Sequence, residues 1–368
     1  MTIAFYAPMK PPDHAVPSGD RHMARALIRA LESLGHEVTL ASRLRAYSAS
    51  PDPARLEELR GEGAREAARI IGAMRAAENR PELWMTYHPF YKSPDFLGPE
   101  VAAALNIPYV TVEAAWSGRR ARDGWAPWQS AAEPALRAAA LHFCITPRDR
   151  DGLAALLGPD APLKILPPFL TDLPRETRAG DARTTIRLIS VGMMRPGTKL
   201  ATYTFLAQVL PLILGLDWHL TIIGDGPLLG QITALFDAIP KARINWIAGR
   251  ESHEIPALLA QADILVWPGV NEAYGITYLE AQAVGLPVVA LDNGGVGECV
   301  RDGVGGVLVK EITPAAYADA LAALMADPRA RAELGESGRA FVRAERTLEA
   351  AARRLRDGLA ALTRKHAA

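Results

Sequence analysis

The stretch "GVNEAYGITYLEAQAVGLPVV", residues 269–289, decides how the chain folds. An apolar run, "DILVWP" (263–268), precedes it, and a second, "PVVALD" (287–292), overlaps its end. Between them "GVNEAYG" reads as a loop and "ITYLEAQAVG" as a helix closed by Gly285. Strand, glycine turn, helix and strand make one crossover unit of a parallel sheet. In such sheets ligands bind beyond the carboxyl ends of the strands, where the next helix begins. Glu272 lies just before the turn, and Glu280 about one helical turn inside it. An acid at a helix start is already favoured by the helix dipole, so spacing alone does not separate surface acids from ligand acids. Their position at a strand end beside a glycine turn brings the ligand reading level with that of ordinary helix-start acids.

The same unit recurs in both directions. "TIAFYA" (2–7), "HEVTLAS" (36–42), "LWMTYH" (83–88), "PYVTVE" (108–113) and "LHFCIT" (141–146) are strand-length runs separated by helical patterning. After the Pro- and Arg-containing stretch 166–185 the series restarts with "IRLISVG" (186–192). It continues through "HLTIIG" (219–224), "INWIAG" (244–249), the two strands already quoted and "GVLVK" (306–310). Two such series predict an α/β protein of two Rossmann-like domains, 1–172 and 173–347, whose parallel sheets face each other across a cleft. From Pro314 the pattern is purely helical. The last amphipathic helix, about 348–368, is expected to cross back to the first domain.

Composition narrows the partners. Of 368 residues, 49% are hydrophobic and 22% charged, a globular profile. Lys+Arg and Asp+Glu both total 41, so no net field draws the chain to nucleic acid or to an anionic membrane. Cys144 and Cys299 stand far apart and form no C-x-x-C, which argues against a zinc or disulfide framework and fits a reducing, cytoplasmic setting. The apolar window 204–223 is broken by Gln208, Pro211, Asp217 and His219, and reads as helix then strand rather than a membrane span.

Several strand-to-helix loops carry polar chemistry. "SVGMMRPGTKLATY" (190–203) has the G-x-x-x-x-G spacing of a phosphate-binding loop in Gly192 and Gly197. Its Thr198-Lys199 reverses the order such a loop needs. What remains is a glycine turn at a helix start with Arg195 and Lys199 beside it, suited to a diphosphate. "TIIGDGPLLGQ" (221–231) places Gly224, Asp225 and Gly226 in a second such turn, with Pro227 expected at the first helical position. "PSGDRHMARAL" (17–27) follows the first strand. It lacks a dinucleotide fingerprint, but Gly19 lets a ligand approach the backbone closely.

As an ordered set, "PGVNEAYGITYLEAQAVGLPVVALDNGGVGECVRDGVGGVLV", "TIIGDGP", "SVGMMRPGTK" and "PSGDRHMARALIRALESLGHEVTL" resemble the retaining glycosyltransferases of family 4, which have the GT-B fold and an E-x7-E motif. The likeness is dense in the second half and loose in the first. It implies a nucleotide-diphospho-sugar donor (UDP-, GDP- or ADP-sugar) as substrate, with no cofactor or metal required. Glu280 would accept from the ribose hydroxyls. Glu272, with the amides of Tyr274, Gly275 and Ile276, would hold the sugar and distal phosphate. Arg195 and Lys199 would neutralise the leaving diphosphate, Gly19 would face it, and Arg250 in "AGRESHEI" would meet the base. The family retains anomeric configuration, commonly by front-face attack in which the leaving phosphate accepts the acceptor's proton.

The sequence departs from the family pattern in two places. Met193 and Met194 stand before the cation Arg195, where members have an arginine nearer the glycine. Glu113 ends the strand where many members have a histidine, and so becomes a candidate base or acceptor anchor. His88, ending "LWMTYH", is the other catalytic candidate of the first half. "EAAWSGRRARDGWAPW" (113–128) reads as a loop offering Trp116, Arg119 and Arg120 to an acceptor (a saccharide, lipid or small molecule) or, at most, to a membrane surface. The Arg-rich stretch 54–80, with interleaved glutamates, reads as a solvated helix. Two other functions keep the fold: a phosphorylase, epimerase or transferase to a non-alcohol nucleophile, and a non-catalytic sugar-nucleotide-binding protein.

Overall fold

The computed structural model describes residues 1–16, 18–178, 185–251 and 253–366. The parts of the readings over 17–27, 166–185, 248–255 and 348–368 that fall on the remaining positions lie outside the described residues. The chain divides into two compact units: Met1–Pro167 with Leu348–Ala368, and Pro168–Thr347.

The first unit holds strands β1 (Thr2–Tyr6), β2 (Glu37–Leu40), β3 (Leu83–Tyr87), β4 (Tyr109–Val112), β5 (Leu141–Cys144) and β6 (Leu163–Ile165) in one sheet, ordered β2-β1-β3-β4-β5-β6. Every neighbouring pair is parallel. β1, β3, β4 and β5 are apolar and buried, or nearly so, along their length, as strands covered on both faces must be. The order changes direction between β1 and β3, so the loops leaving these two strands diverge and open a crevice at their carboxyl ends. Helix Leu348–His366 packs on helix Gly19–Glu32. A Cβ on its Gly358 would stand 2.4 Å from the Phe143 ring, so the glycine permits close contact.

The second unit holds β7 (Ile186–Val191), β8 (Trp218–Ile223), β9 (Ile244–Ile247), β10 (Ile264–Val266), β11 (Val288–Leu291) and β12 (Gly306–Val309), ordered β12-β11-β10-β7-β8-β9. Its pairs are parallel too. Here the direction changes between β7 and β10. Helices Pro314–Ala326 and Pro328–Glu345 close the unit.

Four sequence expectations are corrected. β6 has no counterpart in the sequence reading, because three residues at a sheet edge, one of them exposed, leave too short an apolar run to register. Helix Pro53–Ala76 is not solvated all round: Leu56, Leu59, Gly63, Ala67 and Ile70 form a buried stripe at helical spacing beneath the charged face. The stretch 113–128 is not all loop, since Arg120–Arg122 forms a 3₁₀ turn and Ala126 starts a helix to Ala138. Its Trp125 and Trp128 are core anchors, packed with Leu56, Leu59 and Ala131. Finally, Pro227 is not helical. The helix starts at Leu229, because Gly226 (φ 151°) turns the chain and the Leu228 amide donates to the Met194 carbonyl at 3.1 Å.

Candidate functional site

At the switch point of the second unit, β7 delivers Gly192 to Lys199 and β10 delivers Trp267 to Gly275. Lys199 lies in the first turn of helix Thr198–Val209, which Gly197 enters at φ 85°. Its ammonium donates to both oxygens of Glu272, at 3.0 and 2.8 Å, and sits 5.2 Å above the Trp267 ring. The indole N–H of Trp267 lies 3.4 Å from the same carboxylate. The pair is thus oriented by a fixed aromatic floor. Glycines set the distances around it: a Cβ at Gly192 would meet the Trp267 ring at 2.5 Å, and one at Gly294 would meet the Glu272 carbonyl at 2.2 Å. The backbone of Glu272 is pinned at both ends, its amide to Gly269 O and its carbonyl by Gly295 N, each at 3.0 Å. The Thr202 hydroxyl accepts from Val270 N at 3.1 Å, and the Tyr278 hydroxyl donates to Trp267 O at 3.0 Å.

Helix Ile276–Ala283 begins at Gly275 (φ 86°), and no side chain caps its first amides. Tyr274 is buried beside that turn. Glu280 is half-buried, one turn inside the helix. Burial pushes its pKa up to about 7, and among the described residues its carboxylate has neither hydrogen-bond nor ion-pair partner. A desolvated carboxylate without a donor costs free energy that a ligand donor would recover. Arg195 is half-buried in the loop after β7, whose Met194 amide donates to Asp225 O at 2.8 Å. Gly224 and Gly226 press against that loop: a Cβ on either would stand 2.1 and 2.4 Å from the Gly192 and Met194 carbonyls. Their role is to let two loops touch, while Asp225 and Arg250 are exposed at the ends of β8 and β9.

The first unit has its own centre, again at the switch point. His88 follows β3 at φ 58° and Glu113 follows β4 at φ 57°, both in the left-handed region that side chains other than glycine and asparagine seldom adopt. Each is held there by a ladder-like bond, His88 N to Val112 O and Glu113 N to Phe143 O, both 2.8 Å. His88 Nδ1 lies 3.0 Å from Asp20 Oδ1. Its ring stacks on Phe90 at 4.6 Å. Burial pulls the imidazole pKa down, but Glu113, Asp20 and Asp149 together outweigh it and lift the value to about 9. Burial raises Glu113 to about 7 against the attraction of His88, with Asp149 and Asp20 adding to the rise. Asp149 is raised by burial, while the bond to His88 holds Asp20 below its ordinary value despite its own burial. At neutral pH His88 is therefore an imidazolium and a hydrogen-bond donor, and Glu113 is the group poised to exchange a proton. Gly19 is the first residue of the helix carrying Asp20, with open space where its Cβ would be.

Of the acceptor-side expectations, Trp116 is half-buried and donates from Nε1 to Glu133 at 2.9 Å. Arg120 is bound to Asp123 at 2.8 Å, and Arg119 is exposed. The sequence reading missed Asp20, Asp149, Thr202, Trp267 and Tyr278. Asp149 had a visible signal, because "TPRD" (146–149) spells the capping box that forms at that helix start. Asp20 had only its place in the first turn after β1. Among the described residues no group of three or more His, Cys, Asp or Glu side chains is arranged to hold a metal ion, and no helix is long and apolar enough to cross a membrane.

Residues 187–341 match the family model described as glycosyl transferases group 1. The chain is 33% identical over 212 residues to a GDP-mannose-dependent alpha-(1-6)-phosphatidylinositol monomannoside mannosyltransferase of Mycolicibacterium smegmatis, covering 52% of this chain and 54% of that one. It is 40% identical over 101 residues to a D-inositol 3-phosphate glycosyltransferase of Salinispora tropica, covering 27% and 21%. The matches thus span about a fifth to about half the length of these curated relatives. Anabaena Alr3699/HepE, solved in complex with UDP-glucose, superposes with a TM-score of 0.70 over 98% of this chain and 100% of that one, at 16% identity. With the two parallel six-stranded sheets, this likeness assigns the GT-B fold.

Proposed function

We propose that the protein is a retaining glycosyltransferase taking its sugar from a nucleotide-diphospho-sugar. The observation that carries this reading is the Lys199–Glu272 pair across the switch point of the second unit, with Glu280, partnerless among the described residues, one turn inside the helix that follows Glu272. The match to glycosyl transferases group 1 spans all three residues. The GDP-mannose dependence of one relative and the UDP-glucose bound to one structural neighbour support a sugar nucleotide as donor.

In this reading Glu280 accepts from the two ribose hydroxyls at once, which suits a carboxylate and a vicinal diol. Lys199 meets the distal phosphate and stabilises the negative charge that grows on it as the glycosidic bond breaks, aided by Arg195 and the free amides after Gly275. Glu272, turned partly from the ammonium, accepts from the sugar hydroxyls. The acceptor hydroxyl attacks on the face the diphosphate leaves, and its proton goes to a phosphate oxygen. Positioning and charge stabilisation then supply most of the rate. His88, as an imidazolium, donates to a substrate oxygen, and Glu113 anchors an acceptor hydroxyl.

Product analysis by NMR, with sugar nucleotide and a pool of candidate acceptors, tests the proposal. A new glycoside with the donor's anomeric configuration is the expected result. An inverted product would overturn retention. Conversion of the sugar nucleotide without any acceptor, or only with inorganic phosphate, would replace transfer with epimerase or phosphorylase chemistry.

A further inference from the structure

The first unit carries two cations on one aromatic ring. Lys92 Nζ lies 5.9 Å from the Tyr91 ring centre and 5.3 Å from that of Trp125. The Arg120 guanidinium lies 5.0 Å from the same Tyr91 ring. Tyr91 packs edge-on against Trp125 at 5.0 Å and against Phe90 at 5.2 Å, and Phe90 stacks on His88. Behind this run stand Leu56, Leu59, Trp128 and Ala131, a buried cluster against which Tyr91 packs. The turn bearing Lys92 is fixed as well, by Ser93 Oγ to His88 O at 3.0 Å and by Ser48 N to Lys92 O at 2.9 Å.

Two neighbouring cations repel, and partial burial strengthens the repulsion. Asp123, 2.8 Å from Arg120, offsets one of them. Among the described residues no carboxylate offsets Lys92. Its pKa is lowered by burial and by Arg120. Cation–π attraction holds the ammonium in place at roughly 0.5–2 kcal/mol, but among the described residues neither its charge nor its N–H donors have a partner. A ligand anion would satisfy both, within three ring contacts of His88.

We infer that Lys92, with Arg120 beside it, is the recognition point for a phosphate or carboxylate on the acceptor, making the acceptor class an anionic sugar or polyol. The inference rests on the transferase reading above for the word acceptor.

Calorimetric titration of the full chain with D-glucose 6-phosphate, D-glucuronate and D-glucose tests it, on the wild type, Lys92→Met and Lys92→Arg. Donor binding by UDP-glucose and GDP-mannose is measured on the same samples. At least one anionic sugar should bind about tenfold or more tighter than glucose, as expected for a charged hydrogen bond. Lys92→Met should abolish the preference and Lys92→Arg should keep it. Preference for the phosphate or for the carboxylate identifies the group. Equal affinity for glucose, no saturable binding by either anionic sugar, or an unchanged preference in Lys92→Met overturns the inference; with donor binding intact, the transferase reading would still stand. Anion binding that depends on Lys92, with neither sugar nucleotide bound, would do the reverse.

Discussion

Each sheet changes direction once, and at each switch point a cation and a carboxylate meet: Lys199 with Glu272 in the second unit, His88 with Asp20 in the first. The two pairs are built on opposite principles. Around Lys199 the left-handed positions fall on Gly197, Gly269, Gly275 and Gly294 and on Asn271 (φ 54°), residue types that tolerate that region, and not on Lys199 or Glu272. That centre pairs one ammonium with one carboxylate, 2.8 Å apart. Around His88 the left-handed positions are taken by the functional residues themselves, His88 and Glu113, at a cost of about 1–2 kcal/mol each. Three acids share one imidazole there, and the outcome is shared protons: His88 near 9, Glu113 near 7, Asp149 raised. The second unit is suited to a ligand of permanent charge, the first to a group that donates a proton or hydrogen bond at neutral pH.

The contrast breaks most visibly at Lys199. Lys199→Ala removes the ammonium that the transferase reading sets against a leaving diphosphate, and turnover should fall about 10²–10³-fold; the Glu272 carboxylate, 11% exposed, loses its partner, so the urea midpoint should fall too. If turnover survives, the pair is structural. Glycine tolerance is the next point of difference. Gly192→Ala drives a methyl to within 2.5 Å of the Trp267 ring and should cost about 1–3 kcal/mol in urea unfolding, whereas Gly19→Ala, with open space around it, should leave the midpoint within about 0.5 kcal/mol.

The first centre shows its character in pH dependence. Since folding raises the His88 pKa from 6.5 to about 9, the stabilisation is complete below about 6.5 and is lost as pH rises through 9. Asp20→Asn removes the bonded carboxylate, so the imidazole followed by NMR should titrate about one unit lower. An unshifted titration would show that Glu113 and Asp149 hold the proton without Asp20.

Much of this arrangement was legible in the sequence, for identifiable reasons. Apolar runs alternating with helical periods announced the parallel sheets, and Gly275 and Gly285 bracketed the helix of Glu280 because both need positive φ. Lys199 and Glu272 were each visible at a strand end. Their contact was not, since strand order decides which loops meet and no local pattern encodes it. The same limit hid Asp20 from His88. Trp125 and Trp128 misled for another reason: an aromatic beside arginines reads as a binding loop until helix Pro53–Ala76 turns its apolar stripe toward it.

The central claim is that Glu280 receives the donor's ribose, and calorimetry with UDP-glucose and GDP-mannose between pH 6 and 8 tests it most directly. The carboxylate has its pKa near 7 in the free protein, and the diol is best accepted by its ionised form. Affinity for the true donor should therefore weaken as pH falls below about 7. Glu280→Gln should bind about 10–100-fold more weakly, the worth of a charged hydrogen bond, with the pH dependence gone. Equal affinity and an unchanged pH profile in Glu280→Gln would contradict the claim.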